Sequence, residues 1–558
     1  MIKIKNKKIT LEVWSLVALA VLVVLIIFSL NKYFLFPPMF TDPSFHLAAA
    51  NGFNRAGGVT VWDFWEFAPT GRPLLYPPLT HLILALILKI GLAPEQVIRF
   101  FSLLINPIIL FTFWSVTKKI VNSKFALLAL LINLISLDCF MKNTLVWPAV
   151  LALTFSLLTF GALYKNKVTS AIIFLSLAFY SHLELGHLAA ITLFILYWLL
   201  PTFRQNIKKI LLCAYTLYLP YLLHLITNIN YLHSGAFGPI ESATVLYQNL
   251  KIFLLPMILA ILTIFLYFKK IKIYRLSLVD QPPGNYFLFI VSTVWFLTMV
   301  PIALTYPDRF LNIHAWYPLS LLAALGLSFI LNYFVNLKNY KPILVYLVTL
   351  LILIFFNPTL NLAGKKIINF EHTTLTRLAT FPNYPQKMVD VFGEIMPQQI
   401  IKKLIATTNP TDIVAVATPL LGSLYGQDVT QLTMNDYFGA LANRSTIAGG
   451  LLRIRNTTED EIPKTLVPLI NVKAIIADYT QLKAGVEYNN YYSQALATEL
   501  NENFYPVLQE NRLVLLLNKQ TDNLLKSYPK GLVVPFWLVS LLSLVVVYFL
   551  GRDLFKPV

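Results

Sequence analysis

Charged residues are scarce in this sequence. Only 13% of its 558 residues are Asp, Glu, Lys or Arg, whereas 57% are hydrophobic and 14% are aromatic. Soluble globular domains carry about twice that share of charge. The composition therefore excludes an ordinary soluble protein and indicates an α-helical polytopic membrane protein.

Cysteine is scarcer still. Cys139 and Cys213 are the only two cysteines of the chain, and both lie in or beside apolar stretches, which argues against a disulfide framework and a thiolate metal site. Acidic residues are outnumbered, so that the formal net charge is +18. The basic residues fall in short loops between apolar stretches, and they therefore indicate membrane topology and no nucleic-acid partner.

Apolar stretches of about 20 residues, the length that crosses a bilayer, recur along the chain. Two of the predicted spans, 168–180 and 185–200, are short. The sequence predicts about 12 spans, at residues 11–30, 97–116, 125–137, 145–163, 168–180, 185–200, 209–227, 252–268, 286–304, 315–335, 343–356 and 532–550.

The stretch 77–90 decides the topology. If it does not cross the membrane, the basic pairs and clusters, such as Lys118 and Lys119, all fall on the side of the N-terminus, as expected for cytoplasmic loops. If it crosses, most of them face outward. We therefore predict an interfacial helix at 77–90 and cytoplasmic N- and C-termini in the cell membrane. An ordinary span with a weak charge bias is the alternative.

Under this topology, ionisable side chains collect on the outer side, in a first outer loop at residues 31–96 and in the later outer loops. Such residues are costly near a membrane and are usually functional. Their one-sided distribution predicts an active site that faces outward. The hairpin 168–200 would turn at Ser181–Glu184 below the outer surface and would line a recessed cleft, although a simple surface hairpin explains it equally well.

Asp42 is the candidate catalytic residue. A carboxylate shortly after the first span can accept a proton from a hydroxyl group, whereas the alternative role of an aspartate here is to cap a helix. The other residues expected to bind substrate are His46, Asp63, Glu66, Arg72, Tyr76, Asp138, His182, Glu184 and Arg309.

Two features of this set have alternative explanations. The aromatic and acidic residues at 62–66 suit sugar stacking, but aromatic residues also anchor loops at a membrane surface. Arg72, Arg99 and Arg309 could clamp a phosphate, or each could neutralise a neighbouring acid, as Asp308 beside Arg309 illustrates.

Residues 361–530 have the composition of a soluble domain. Apolar runs at 413–417, 473–477 and 513–517, together with an amphipathic stretch at 386–404, predict an extracytoplasmic α/β domain. It would follow a transmembrane domain at 1–360 and precede a last transmembrane helix at 531–558.

The order of several motifs resembles the GT-C superfamily of membrane glycosyltransferases, which includes protein O-mannosyltransferases and lipid A aminoarabinose transferases. In that superfamily an acidic residue follows the first span, and the outer loop ends in a Pro-Pro-Leu segment, a Gly and an Arg. The corresponding residues here are Asp42, Gly71-Arg72-Pro73, Tyr76-Pro77-Pro78-Leu79, Gly91 and Arg99.

The resemblance implies an inverting transferase that takes a sugar from a polyprenyl-phosphate donor and passes it to a lipid, glycan or protein acceptor. Asp138 matches a second outer acid of the superfamily, and Arg309 resembles an arginine that contacts the lipid phosphate. Two departures stand out: Pro43 follows Asp42 where many relatives have Glu, and the Trp-Trp-Asp signature of oligosaccharyltransferases is missing from the outer domain.

The resemblance implies no certain cofactor, and a divalent metal (Mg²⁺ or Mn²⁺) near Asp42 and Asp138 stays open. Two other classes also stay open. A transporter or flippase of lipid-linked sugars would need polar residues at mid-membrane, of which the inner halves of the spans show few. A non-catalytic envelope assembly protein would give the acidic residues of the first loop no function.

Overall fold

The computed structural model describes residues 12–30, 42–136, 139, 143–144, 146–231, 253–274, 283–305, 310–338, 359–360, 368–369, 397–417, 431–447, 471–478, 503–511, 513–520 and 524–555. The membrane part is built of apolar helices whose inner faces form one continuous core. These helices are α1 (Val13–Ser29), α4 (Pro94–Ile120), α5 (Ser123–Asn133), α6 (Trp147–Tyr164), α7 (Val168–Ser181), α8 (Leu183–Leu199), α9 (Arg204–Thr227), α10 (Leu254–Tyr274), α11 (Gly284–Thr305), α12 (Trp316–Lys338) and α15 (Phe536–Phe555).

Each predicted span except 343–356, which lies outside the described residues, coincides largely with one of these helices. By length and apolarity, four helices of the described part can cross a bilayer: Pro94–Ile120, Trp147–Tyr164, Pro201–Thr227 and Gly284–Ala303. The other apolar helices of that part are shorter. A multi-pass membrane protein is therefore confirmed, and the number of spans stays a prediction.

The first outer loop folds into two helices and three short strands. They are α2 (Asp42–Ala56), β1 (Gly58–Thr60), β2 (Trp62–Asp63), β3 (Arg72–Pro73) and α3 (Leu79–Lys89). β2 pairs antiparallel with β3. The 11 residues of α3 reach about 16 Å, which is half of the hydrocarbon thickness. Because α5 is equally short, length alone does not prove that α3 stays at the interface.

The predicted hairpin 168–200 is present as α7 and α8. The two helices are separated by His182, whose Nδ1 accepts a hydrogen bond from the Leu185 backbone N–H at 3.4 Å. Gly186 permits this close turn, since a Cβ there would lie 2.8 Å from the Phe179 backbone. A short π-helix, Phe310–His314, lies between α11 and α12.

The soluble part has a five-stranded sheet in the order β7-β6-β8-β10-β9. β6 is parallel to β7 and β8, whereas β10 is antiparallel to β8 and β9. The strands are β6 (Ile413–Ala417), β7 (Ser445–Thr446), β8 (Ala474–Asp478), β9 (Phe504–Glu510) and β10 (Leu513–Asn518), and the helices that accompany them are α13 (Gln398–Thr407) and α14 (Gln431–Ala442).

The three apolar runs predicted as strands correspond to β6, β8 and β10, and the described end of the amphipathic stretch forms α13. The α/β region is thus confirmed, although its boundaries at 361 and 530 stay predictions. Two small pairs complete the described strands: β4 (Thr359–Leu360) with β5 (Ile368–Asn369), and β1 with β11 (Val533–Pro535). The second pair joins the first outer loop to the segment that leads into α15.

Candidate active site

The site is organised by α2, the helix that begins at Asp42. An acidic residue in the first turn and Pro43 beside it both suit a helix N-terminus, where the dipole favours negative charge and backbone N–H groups lack partners. Gly57, with φ of +77°, follows the helix and allows the chain to leave it. The helix is buried along most of its length. Asp42 is therefore held at the start of a well-packed element.

Four predicted or neighbouring side chains meet beside this helix. The ring of His46, one turn after Asp42, lies 5.1 Å from the ring of Tyr76 and 5.1 Å from that of His81. The Tyr76 ring lies 6.3 Å from that of His182. The structure thus brings together three of the predicted substrate-binding residues, from α2, the segment before α3, and the α7–α8 turn.

Two histidines of this cluster were not among the predicted site residues. His81 comes from α3, and His46 Nδ1 lies 2.9 Å from its Nε2. His314 ends the π-helix, with its ring 6.1 Å from that of His182. We call His46, Tyr76, His81, His182 and His314 the ring cluster. Both missed residues stand in segments assigned to the outer side, but the sequence contains no signal for their distance from His46.

The ring cluster is a polar group of side chains inside an apolar surrounding. Burial, followed by the neighbouring imidazoles of His81 and His182, lowers the pKa of His46 well below its ordinary value. His46 is therefore neutral at physiological pH. Neutral imidazoles and a phenol can donate and accept hydrogen bonds, which is the chemistry that hydroxyl groups of a sugar require.

Asp63, Glu66 and Arg72 form a separate buried group on the β2–β3 hairpin. Arg72 Nε donates to Asp63 Oδ2 at 3.0 Å, and Arg72 Nη2 donates to a Glu66 carboxylate oxygen. Asp63 Oδ1 also accepts from the Glu66 backbone N–H at 3.0 Å. Burial raises the pKa of Asp63, against the attraction of Arg72.

This pairing gives all three residues a role in the fold, and their contact with substrate stays a prediction. For Arg72 it is the alternative that the sequence left open, because an arginine that neutralises two buried acids is not poised to clamp a phosphate. Arg99 likewise pairs with Glu95, one turn away on α4. Neither arginine is therefore placed as a phosphate ligand by its described contacts.

The aromatic residues of 62–66 anchor the loop to the protein itself. Phe64 and Trp65 are 2% and 1% exposed, so neither presents a face to a sugar. The Arg55 guanidinium lies over the Phe64 ring at 5.0 Å, and Lys530 Nζ lies 5.7 Å from the Trp62 ring. Packing in the protein interior, and not sugar stacking or membrane anchoring, explains Phe64 and Trp65.

The other predicted residues are less informative. Glu184 lies in the first turn of α8, next to His182, and is partly exposed. Asp138 and Arg309 lie outside the described residues. Within the described part, no group of three or more His, Cys, Asp or Glu side chains could hold a metal ion. Because Asp138, which was expected beside the metal, lies outside the described residues, a divalent metal near Asp42 and Asp138 stays a prediction, and no chemical step here is assigned to one.

Comparison with known proteins gives structural neighbours only. No family model matches the sequence, and no curated protein matches it. The apo crystal structure of the oligosaccharyltransferase of Archaeoglobus fulgidus matches with a TM-score of 0.52 and 14% identity, over 91% of this chain and 75% of that one. ArnT from Cupriavidus metallidurans, bound to undecaprenyl phosphate, matches with a TM-score of 0.48 and 12% identity, over 90% and 97%.

At 14% identity, the oligosaccharyltransferase likeness establishes the architecture and leaves the reaction open. The chain therefore has the fold of this oligosaccharyltransferase. A membrane glycosyltransferase fold is also what the motif order of residues 31–96 implies.

Proposed function

We propose that this protein is an integral membrane glycosyltransferase that transfers a sugar from a polyprenyl-phosphate-linked donor to a lipid, glycan or protein acceptor on the outer face of the membrane. The observation that carries the proposal is the position of Asp42 at the start of α2, one turn before His46 and the ring cluster. A carboxylate one helical turn before a cluster of hydrogen-bonding rings suits a base next to a sugar site. The GT-C fold supports the same class.

The proposed step is an inverting displacement. Asp42 takes the proton of the acceptor hydroxyl while the acceptor oxygen forms a bond to the anomeric carbon of the sugar. The bond between that carbon and the phosphate oxygen breaks, and its electron pair leaves with the polyprenyl phosphate. Tyr76 and His182, which are partly exposed, bind sugar hydroxyls, with Glu184 beside them. The buried His46 supports the Tyr76 ring from within the protein.

The phosphate of the donor needs a cationic partner. Since Arg72 is paired with Asp63 and Glu66, we assign this role to Arg309, as the sequence resemblance implies, and leave Asp63, Glu66 and Arg72 out of the substrate contacts. Asp138 keeps its proposed place as the second outer acid. A lipid-linked donor also agrees with the lack of a nucleotide-binding loop in the sequence.

The test measures donor consumption by the purified protein in liposomes, with labelled polyprenyl-phosphate sugars and a cell-envelope extract as acceptor. We expect wild type to transfer label and Asp42→Asn, which preserves the shape of the side chain, to lose at least about 100-fold in rate. Glu95→Gln is the matched control, because it removes a carboxylate that is 26% exposed and lies outside the ring cluster, and it should leave the rate unchanged.

Two outcomes contradict the proposal. If donor crosses the bilayer without being consumed, and Asp42→Asn moves it equally well, the protein is a transporter or flippase. If the folded wild type neither consumes nor moves any donor of a panel that covers neutral, amino and acidic sugars, the assembly role is the better explanation.

A further inference from the structure

The C-terminal half of α2 is hydrogen-bonded to the α/β domain. Asn51 Nδ2 donates to the backbone carbonyl of Ala440 at 2.7 Å. Arg55 Nη1 donates to the Pro410 carbonyl and to Ser445 Oγ, both at 2.9 Å. The helix end therefore has direct polar contacts with three separate segments of a domain that lies almost 400 positions later in the chain.

These contacts lie on the opposite side of α2 from the proposed chemistry. Successive residues of an α-helix are about 100° apart, so Asn51 lies about 180° around the axis from Asp42. Arg55 follows Asn51 by one turn, as His46 follows Asp42. One face of the helix thus meets the ring cluster at its start, and the other face meets the α/β domain at its end.

The loop that follows α2 forms backbone hydrogen bonds with the same domain. The Thr446 N–H donates to the Trp65 carbonyl at 2.8 Å, and the Ala68 N–H donates to the Thr446 carbonyl at 2.9 Å. Trp65 in turn packs against Gly52 of α2, where a Cβ would lie only 2.0 Å from the indole ring. The α/β domain therefore holds both α2 and the residue that packs on it.

The strand that leads into the last helix also pairs with this loop. β1, which follows α2 after one residue, pairs antiparallel with β11, which leads directly into α15. The approach is close at Gly58, where a Cβ would lie 2.1 Å from the Val534 carbonyl oxygen. The α/β domain and β11 thus both contact α2 or the strand that directly follows it.

We propose that the α/β domain and β11 form a clamp that sets the position of α2, and that Arg55 is a positioning residue that acts through Asp42. This inference rests on the proposed transferase function. Asp42 and Arg55 lie at opposite ends of one helix, about 20 Å apart, so a tilt at Arg55 displaces the carboxylate. A displacement of about 1 Å at a reacting group can cost about 100-fold in rate.

The kinetic test compares Arg55→Ala with wild type in the liposome assay. We expect kcat to fall at least about tenfold with a KM for the donor that stays within about twofold, because a displaced carboxylate impairs the reaction step and leaves the binding of the donor unchanged. Arg55→Lys keeps a donor group that can reach one of the two oxygens, and it should recover part of kcat. Unchanged kcat in Arg55→Ala, or a loss confined to KM, would overturn the inference.

Arg204→Ala is the matched control. Arg204 also donates to a backbone carbonyl, that of Tyr197 at 3.0 Å, but it lies at the start of α9, away from the α/β domain. Its replacement should leave kcat unchanged. A general loss of folding, in contrast, would lower the yield and the thermal midpoint of Arg55→Ala, and Arg55→Lys would then show whether the loss of rate follows the loss of folded protein.

A second measurement does not depend on activity. Two spin labels report the distance between the clamp and the membrane part. They are attached at Lys402→Cys in the α/β domain and at Ile90→Cys after α3, both exposed positions, in a Cys213→Ser background. We expect a narrow distribution in wild type and a broader one in Arg55→Ala. If the distribution is unchanged, the clamp is wrong. If it broadens although wild type transfers no sugar, the transferase proposal fails and the clamp stands.

Discussion

His46 Nδ1 and His81 Nε2 lie 2.9 Å apart, and both rings are fully buried. A hydrogen bond at this distance needs one nitrogen that donates and one that accepts. If both rings were protonated, neither nitrogen could accept, and two like charges would face each other without water. The contact between α2 and α3 therefore exists only while at least one ring is neutral. Burial favours the neutral rings, because it lowers the pKa of His46 well below its ordinary value and that of His81 to about 3.

The first prediction concerns the stability of the fold in mild acid. The pKa of His46 in the folded protein lies well below 6.5, so below pH 6.5 the unfolded chain binds a proton that the folded chain does not. Stability is then lost as the pH falls, by about 1.4 kcal/mol per pH unit for one such group. The thermal midpoint in detergent should decrease from pH 7 to pH 5. His46→Gln should make this decrease smaller without abolishing it, because burial also lowers the pKa of His81, to about 3. An equal slope in both proteins would refute the assignment.

The second prediction concerns the buried charges of the β2–β3 hairpin. Arg72→Met leaves Asp63 and Glu66 without their cation in the protein interior, which typically costs about 3–5 kcal/mol. We expect a large drop in the thermal midpoint. Arg99→Met, which breaks the partly exposed pair with Glu95 on one face of α4, should cost at most about 0.5 kcal/mol.

The same variants distinguish a structural role of Arg72 from phosphate binding. A phosphate ligand would raise the KM for the donor while the thermal midpoint stayed near that of wild type. If Arg72→Met behaves in that way, the guanidinium has a second function that its contacts with Asp63 and Glu66 do not reveal.

The sequence predicts those parts of the structure that local patterns determine. The apolar run at 413–417 is found as β6 with the same bounds, because a buried strand needs an uninterrupted apolar segment. The hairpin 168–200 turns at His182, since basic residues at both ends require the chain to enter and leave on one side. In each case the signal lies within the segment itself.

The parts that the sequence could not predict depend on partners far away in the chain. Asn51 and Ala440 are separated by 389 residues, and nothing near either residue indicates the other. From the sequence, Arg72 could pair with any of several nearby acids or bind a phosphate. The folded hairpin shows that it pairs with Asp63. His314 joins the ring cluster because a π-helix turns its ring toward His182. Long-range packing, and not composition, decides these contacts.

The third prediction concerns the close contact between α2 and Trp65. In Gly52→Ala the new methyl group would lie 2.0 Å from the indole ring, so the ring or the helix must move. Overpacking of this kind typically costs about 1–3 kcal/mol. We expect a lower thermal midpoint together with a lower rate of sugar transfer, because α2 carries Asp42.

Two further variants control this prediction. Gly551→Ala should be neutral or slightly stabilising, since its Cβ meets nothing within 4 Å and alanine favours a helix. Adding Trp65→Phe to Gly52→Ala makes room for the methyl group and should recover part of the rate. If Gly52→Ala alone keeps both stability and rate, the contact between α2 and Trp65 is looser than the structure indicates.

The last prediction concerns the side of the membrane on which each loop lies. We expect a cysteine at Lys119, an exposed position at the end of α4, to react with a membrane-impermeant maleimide only after the cells are opened. A cysteine at Lys402 in the α/β domain should react in intact cells. Both variants are made in a Cys213→Ser background, because Cys213 is exposed and Cys139 is buried. With the predicted cytoplasmic N-terminus, the pair of results follows only if 77–90 does not cross the membrane, so that α3 is interfacial and Asp42 lies on the same outer side as the α/β domain. If Lys119→Cys reacts from outside, α3 crosses, and α4 then runs in the opposite direction.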